Sequence, residues 1–244
     1  MLRTTRSLLL AAFLAGAASS ATLADDSLTT KKTEAKPPVP THFLFFDAAD
    51  GRPTLPPEEL QRIQGEHLAN LSRLFVEGKS PLAGPLGRES KKTRGIVVLV
   101  LDKPDSLASE FANDPYVEKG HLELRAYPWK MTTGTLRKAP ANAGLGEYVL
   151  GVVRLSEGVD RKTGAKAYAS LESRLASKEI DGGPKPLSIA GAIDSRDDDV
   201  VGILLFRISS IEKARELTSS VPAVADKTLR VELFRQYLGK GIID

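Results

Sequence analysis

The chain has 244 residues, with 34 lysines and arginines against 31 aspartates and glutamates, and a net charge of +3. It contains no cysteine, which excludes disulfides, thiol nucleophiles and thiolate metal sites. Charges of both signs are interspersed, and short basic runs such as residues 88–94 have the composition of a solvated turn. The sequence therefore lacks the concentrated basic surface of a nucleic-acid-binding protein.

Residues 1–24 have the layout of a secretory signal peptide. Arg3 and Arg6 precede an apolar segment at residues 8–18, and small residues follow up to Ala24. The apolar segment is about half of the roughly 20 residues that a membrane span needs, so the pattern favours cleavage after Ala24 over a retained anchor. We therefore expect a periplasmic or secreted protein with no membrane span after cleavage. Residues 25–40 are polar and proline-rich, which predicts a flexible spacer.

Residues 41–131 contain apolar segments in the order strand, helix, strand, strand, helix, strand. This order predicts a ferredoxin-like α+β unit, with both helices on one face of a four-stranded antiparallel sheet. Strands are predicted where apolar residues run together or alternate, and helices where they recur in steps of three and four. The predicted strands are residues 42–46, 80–84, 96–101 and 122–127, and the predicted helices run from Pro56 to Gly78 and over residues 107–112.

His67 and Asp114 are the candidate catalytic residues of this unit. His67 falls at the centre of the apolar stripe of the first helix, and Asp114 follows the second helix, just before Pro115. Antiparallel helices would bring the two side chains together, and a carboxylate beside an imidazole fixes its tautomer. The alternatives are a core histidine with both nitrogens satisfied and an aspartate that caps nearby backbone, and the residues alone leave both open.

The same stretch resembles a known family. His67-Leu68, Gly78, the segment Leu82-Ala-Gly-Pro85, Asp114-Pro-Tyr-Val117 and the final Pro128-Trp129 are together similar to YciI-like (YCII-related) proteins of the dimeric α/β-barrel superfamily. The resemblance covers about residues 41–131. It implies that ferredoxin-like units pair sheet to sheet, and that a histidine and an aspartate act as an acid–base pair in a pocket. A relative that dehydrochlorinates a chlorinated hydroxyquinol implies chemistry on a ring-containing molecule.

The second part of the chain repeats the first at a constant offset. Gly84 and Gly95 correspond to Gly191 and Gly202, and Asp114 corresponds to Val221. Equal spacings predict a tandem copy over residues 146–240. The copy has no histidine in its first helix, where Tyr168, Ala167 and Arg174 are the candidates for that position, so it is predicted to be degenerate. We expect two ferredoxin-like (βαββαβ) units packed sheet to sheet as an intramolecular dimeric α/β barrel, in a monomeric chain.

Gly84, Pro85 and Tyr116 are further candidates for substrate binding. The two small or rigid residues could leave room for a ligand, although a tight turn needs the same residues, and Tyr116 could stack on a flat ligand or simply pack in the core. No cofactor fingerprint is present, and three histidines without ligand spacing disfavour a metal. Two functions remain open: acid–base catalysis on a small cyclic or aromatic molecule, or non-catalytic binding of a small molecule or partner in the cell envelope.

Overall fold

The computed structural model describes residues 41–101, 106–137, 139–140, 143–180, 183–196 and 198–243. The predicted signal peptide and spacer lie outside the described residues. We call residues 41–133 the first half and residues 145–239 the second half. The first half comprises β1 (Thr41–Ala48), α1 (Pro57–Val76), β2 (Leu82–Pro85), β3 (Thr93–Val100), α2 (Leu107–Phe111), α3 (Pro115–Glu118) and β4 (Leu122–Thr133). The second comprises β5 (Leu145–Leu155), α4 (Arg161–Ser177), β6 (Leu187–Ile193), β7 (Val200–Phe206), α5 (Ile211–Ser219), α6 (Pro222–Ala225) and β8 (Leu229–Gly239).

The eight strands form one antiparallel sheet in the order β2-β3-β1-β4-β6-β7-β5-β8. The two halves join through antiparallel pairing of β4 with β6, whose register shifts once between Met131 and Thr133. At the other seam β8 returns to β2, where Leu86 and Gln236 form an isolated bridge. Gly84 permits this close approach, because a Cβ at its position would lie 2.0 Å from the Tyr237 carbonyl oxygen. The sheet is therefore a nearly closed barrel, which confirms the α+β class and the barrel architecture.

Alternation along the strands sorts side chains into an inner and an outer layer. On β1, Phe43 and Phe45 belong to the core inside the barrel, whereas Leu44 and Phe46 belong to the core beneath the helices. The inner core is large and aromatic, and includes Tyr127, Trp129 and Tyr148. The barrel interior is accordingly a packed core that joins the halves, and the helices cover its outside.

Element boundaries in the two halves keep the offset that the sequence shows between Gly84 and Gly191. β3 and β7 begin at Thr93 and Val200, and β4 and β8 begin at Leu122 and Leu229. The strand pairing even shifts at corresponding places, after Phe46 in β1 and after Val153 in β5. The strand starts and the register shifts of the two halves are thus separated by the same number of residues as Gly84 and Gly191.

The structure differs from the predicted elements in three ways. β2 is shifted to residues 82–85, and β4 continues to Thr133 because its last residues pair with β6. The second helix of each half is followed by a separate helical turn, since Pro115 and Pro222 each stand at the first position of a new turn. Among the described residues, no helix is long and apolar enough to cross a membrane.

Candidate functional site

His67 faces the sheet from the buried side of α1. The helix begins at Pro57 with Glu58 and Glu59 in its first turn, an arrangement that suits the positive end of the helix dipole. Ile63 and Leu74 are its buried residues, and His67 lies on the same side at helical spacing. The imidazole packs edge-on against Phe46 of β1, with ring centroids 5.3 Å apart.

Asp114 lies at the start of α3, where its side chain caps the turn. The carboxylate accepts a hydrogen bond from the Tyr116 backbone N–H at 3.2 Å, and Asp114 is completely buried. An aspartate in this position satisfies a backbone donor that the short turn would otherwise leave free. Asp114 therefore has the capping role that the sequence left open, and it also contacts His67.

The two side chains meet across the helix layer. His67 Nδ1 lies 2.8 Å from Asp114 Oδ2 and 3.0 Å from Oδ1, within the range expected for a hydrogen-bonded pair. Asn70, one turn after His67, donates from Nδ2 to Asp114 Oδ2 at 3.1 Å. Burial alone would raise the pKa of the Asp114 carboxyl, but the hydrogen bonds from His67, Asn70 and Tyr116 hold it below its ordinary value.

The second imidazole nitrogen of His67 remains available. An ionised carboxylate can only accept, so Nδ1 carries the proton and a neutral ring leaves the lone pair on Nε2. Among the described residues, Nε2 makes no hydrogen bond, and it is not one of the buried polar atoms sealed from solvent. Asp114 thus holds Nδ1 of His67, whereas Nε2 is open to solvent.

Two exposed apolar side chains, which we call the apolar rim, lie on the same helix as His67. Leu60 and Leu68 of α1 are 41% and 48% exposed, although large apolar side chains on a helix usually face the core. Tyr116 is half-buried, with its ring 5.2 Å from the imidazole and nearly perpendicular to it. Burial raises the pKa of the Tyr116 phenol, and the nearby charge of Asp114 adds to the rise.

Gly84 and Pro85 lie away from the pair. Both belong to β2, and β3 separates β2 from β1, over which His67 packs. The Pro85 carbonyl accepts a hydrogen bond from Gln236 Nε2 at 3.2 Å, so these residues serve the seam with β8. The structure brings His67, Asp114 and Tyr116 together, and it gives Gly84 and Pro85 a packing explanation instead of a place beside the imidazole.

The corresponding place in the second half is apolar. Val221 precedes Pro222 as Asp114 precedes Pro115, and it is buried without a polar atom in its side chain. Tyr168 of α4 lies over Gly202, where a Cβ would be 2.0 Å from its ring. Its hydroxyl lies 2.8 Å from the Gly191 carbonyl oxygen. No acid–base pair can form from these side chains.

Three residues of the site were missed in the sequence. Asn70 could have been found, because it lies three residues after His67 on the same helix face. Phe46 was predicted only as a strand residue. His121 was given no role, yet its ring lies 5.9 Å from that of Tyr116, and its Nε2 is buried without a hydrogen-bond partner in the described structure. Within the described ranges, no group of three or more histidine and acidic side chains could hold a metal.

Comparisons with known proteins identify the fold. No family model matches the chain, and no curated protein matches it. A solved structure of a candidate chlorite dismutase matches with a TM-score of 0.50 at 9% identity, over 82% of this chain and 94% of its own. Candidate monooxygenases from Lactobacillus acidophilus and Fusobacterium nucleatum match with TM-scores of 0.49, at 10% and 9% identity, over 82% and 84% of this chain and 94% of each of theirs.

The likeness to the candidate chlorite dismutase shows a shared fold, which in this chain is the nearly closed antiparallel barrel covered by helices. In this chain a single polypeptide supplies all eight strands of the barrel. At 9% identity the likeness extends to the fold alone, so the activity in that protein's name does not pass to this chain.

Proposed function

We propose that this chain acts on a small cyclic or aromatic molecule by proton transfer, with His67 as the acid–base residue and Asp114 as its positioning partner. The observation that carries the proposal is the arrangement of the imidazole, whose Nδ1 is held by a buried carboxylate while Nε2 keeps contact with solvent. A proton-transferring imidazole needs this arrangement, with one nitrogen fixed and the other within reach of a bound molecule.

In the reaction, Nε2 accepts a proton from an acidic C–H or O–H group of the substrate and later returns it. Asp114 stabilises the imidazolium that forms between these steps, and it keeps the ring in the tautomer that leaves Nε2 free. Asn70 and the Tyr116 N–H hold the carboxylate in place, so little reorganisation accompanies the proton transfer.

The apolar rim favours a flat, apolar substrate. Leu60 and Leu68 present exposed apolar surface on α1, the helix that carries His67, and the Tyr116 ring packs nearly perpendicular to the imidazole. A cyclic or aromatic molecule would bury this surface and bring its acidic proton to Nε2. This substrate class also agrees with the resemblance to YciI-like proteins, which concerns the same residues.

We further propose that the chain is a tandem of two ferredoxin-like units, about residues 41–131 and 146–240, of which the second is a degenerate copy. Support comes from the strand order of each half and from the equal offsets of β3 to β7 and of β4 to β8. The chain would then be a monomer. Solution scattering that gave a stable dimer, or two separate lobes, would contradict this arrangement.

Export is the remaining part of the proposal and depends on residues 1–24 alone. A protein cleaved after Ala24 begins at Asp25. N-terminal sequencing of protein isolated from the native cell envelope measures this directly, and a sequence beginning at Met1 would overturn it.

The second candidate is a binding module without turnover. It is favoured by the structural contacts of Asp114, which links α1 to α3 through His67 and Asn70 and would do so with no reaction at all. In that case ligand affinity would depend on the apolar rim, and the protonation state of His67 would not matter.

A thermal-shift screen of small cyclic and aromatic compounds, followed by turnover assays on the hits, tests both candidates. We expect His67→Ala to reduce turnover roughly 100- to 10,000-fold, the usual contribution of a general acid–base residue, with much less effect on ligand affinity. Val76→Ser is the matched control, because Val76 lies on the same helix and is 79% exposed. Turnover that survives in His67→Ala, or bound ligand without turnover in the native chain, would exclude the catalytic proposal.

The tautomer provides an independent readout that needs no substrate. ¹⁵N NMR of the His67 ring should find the proton on Nδ1 in the neutral form. Asp114→Asn should redistribute it between the two nitrogens, because an amide can donate as well as accept. An unchanged tautomer in Asp114→Asn would mean that Asp114 does not position the ring.

A further inference from the structure

A cleft of about 500 Å³ opens beside α4 in the second half, away from the His67 site. One wall is formed by α4 and the other by the end of β4. Its polar lining consists of Thr133, Glu172, Ser173, Ser177 and Lys185. The volume lies within the roughly 300–1,000 Å³ range of small-ligand pockets, and the cleft is shallow and open to solvent.

Glu172 is the unusual member of this lining. It is a carboxylic acid with only 9% of its surface exposed, and acids are seldom buried without compensation. Thr133 Oγ1 donates to Glu172 Oε1 at 2.5 Å, but no cation in the described ranges forms an ion pair with the carboxylate. Oε2 accepts no hydrogen bond in the described structure and is not sealed from solvent. One carboxylate oxygen of Glu172, a residue that lines the cleft, therefore has no partner within the described part of the chain.

The opposite charge is present in the same cleft. Lys185 is exposed, and it forms no ion pair within the described residues. Ser173 and Ser177 are four residues apart on α4 and so lie on one side of the helix. Ser177 donates its hydroxyl proton to the Arg174 carbonyl oxygen at 2.9 Å, which leaves its oxygen lone pairs available as acceptors.

We propose that this cleft binds a small zwitterion with a primary ammonium group and a carboxylate, that is, an amino-acid-like molecule. The ammonium group would donate to Glu172 Oε2 and to the Ser177 oxygen, and the carboxylate would pair with the Lys185 ammonium group. A zwitterion satisfies both charges at once, whereas a simple cation would be repelled by Lys185 and a simple anion by Glu172. This inference does not depend on the proposed function of the first half.

The test uses the full chain and a series of ω-amino acids of increasing length, namely glycine, β-alanine, 4-aminobutanoate and 6-aminohexanoate. Methylammonium and acetate serve as single-charge probes. Binding is followed by ¹H–¹⁵N NMR shifts of α4 and by calorimetry. We expect the affinity to pass through a maximum within the series, at the length that spans the two charges, and neither single-charge probe to bind comparably.

Two variants connect the binding to the residues. Glu172→Gln and Lys185→Gln should each weaken the best zwitterion at least tenfold, and Lys166→Gln, an exposed change elsewhere on α4, should not. Lys185 is exposed, so its variant remains informative even if Glu172→Gln disturbs folding. Any of three results would overturn the proposal. No ω-amino acid changes the NMR shifts of α4, methylammonium binds as well as the best ω-amino acid, or Lys185→Gln leaves the affinity unchanged.

Discussion

The two halves share an element order and differ in what lies between helices and sheet. In the second half, fifteen buried apolar and aromatic residues form the outer core, and Tyr168 alone among them carries a polar side-chain atom. In the first half, the corresponding cluster has seven buried residues within the described ranges, and the buried Asp114 lies next to it with His67 and Asn70. The half that keeps a polar pair has the smaller apolar core.

This difference shows how one backbone serves two purposes. A buried carboxylate requires donors around it, and the positions on α1 and α3 that supply them cannot also supply apolar packing. Where Val221 replaces the carboxylate, the donors are not needed, and α4 can contribute Tyr168, Leu171 and Leu175 to the core. A buried polar pair in the first half and apolar packing in the second are thus alternative uses of corresponding positions.

The largest expected effect is on the core of the second half. Tyr168→Ala removes a ring that fills the space over Gly202 and should lower the free energy of unfolding by about 3–5 kcal/mol. Tyr116→Ala in the first half should cost only about 1–2 kcal/mol, since Tyr116 is half-buried. Urea unfolding of both variants measures the difference. Equal losses would mean that the two halves are packed alike.

A second contrast concerns ion pairs at corresponding places, with the charges exchanged. Asp47 accepts from Arg125 Nε at 2.9 Å, and in the second half Glu232 accepts from Arg154 Nε at 2.9 Å. The Asp47 side chain is 6% exposed and that of Glu232 is 42% exposed. Asp47→Ala should therefore cost about 3 kcal/mol, because it leaves the partly buried Arg125 guanidinium without its carboxylate.

Glu232→Ala should cost less than about 1 kcal/mol, because Glu232 is 42% exposed and Arg154 keeps its ion pair with Asp199. The same unfolding experiment at high salt sharpens the contrast, because salt screens the exposed Glu232 carboxylate more than the buried Asp47 carboxylate. A larger loss for Glu232→Ala than for Asp47→Ala would invert the comparison.

Acid should affect the first half through Asp114. Its folded pKa lies below the ordinary value of 3.8, so its contribution to stability is fully present above that value and is lost as the pH falls through the folded pKa. We expect the unfolding free energy of Asp114→Asn to depend less on pH below about 4 than that of the native chain. Asp50→Asn, a change in an exposed turn, is the control and should keep the native dependence.

The smallest effect on stability is expected at the apolar rim. Leu68→Ser should change the free energy of unfolding by no more than about 0.5 kcal/mol, because Leu68 is 48% exposed. It should nevertheless weaken any cyclic ligand of the His67 site, since the rim supplies the apolar contact. Calorimetric titration with a hit from the compound screen measures this. Unchanged affinity would place the ligand elsewhere.

The sequence by itself determined the strands, the helices and their order. Hydrophobic periodicity depends only on which residues face a core, so the apolar run at residues 96–101 and the alternation after Leu122 predicted the existence of β3 and β4, although not their full bounds. The equal spacings of Gly84, Gly95 and Asp114 to their counterparts also predicted the correspondence that the backbone keeps. His67 and Asp114 were paired from topology, since antiparallel helices bring those positions together.

Only the tertiary structure decided what each polar side chain contacts. That Asn70 holds Asp114, that Gly84 admits β8 and that Glu172 lines a cleft depend on segments far apart in the chain. Local sequence carries no information about such neighbours. Hydrophobic periodicity predicts which face of a helix or strand a residue lies on, but not which distant residue packs against that face. The extension of β4 to Thr133 has the same cause, since its partner strand β6 begins only at Leu187, beyond all of β5 and α4.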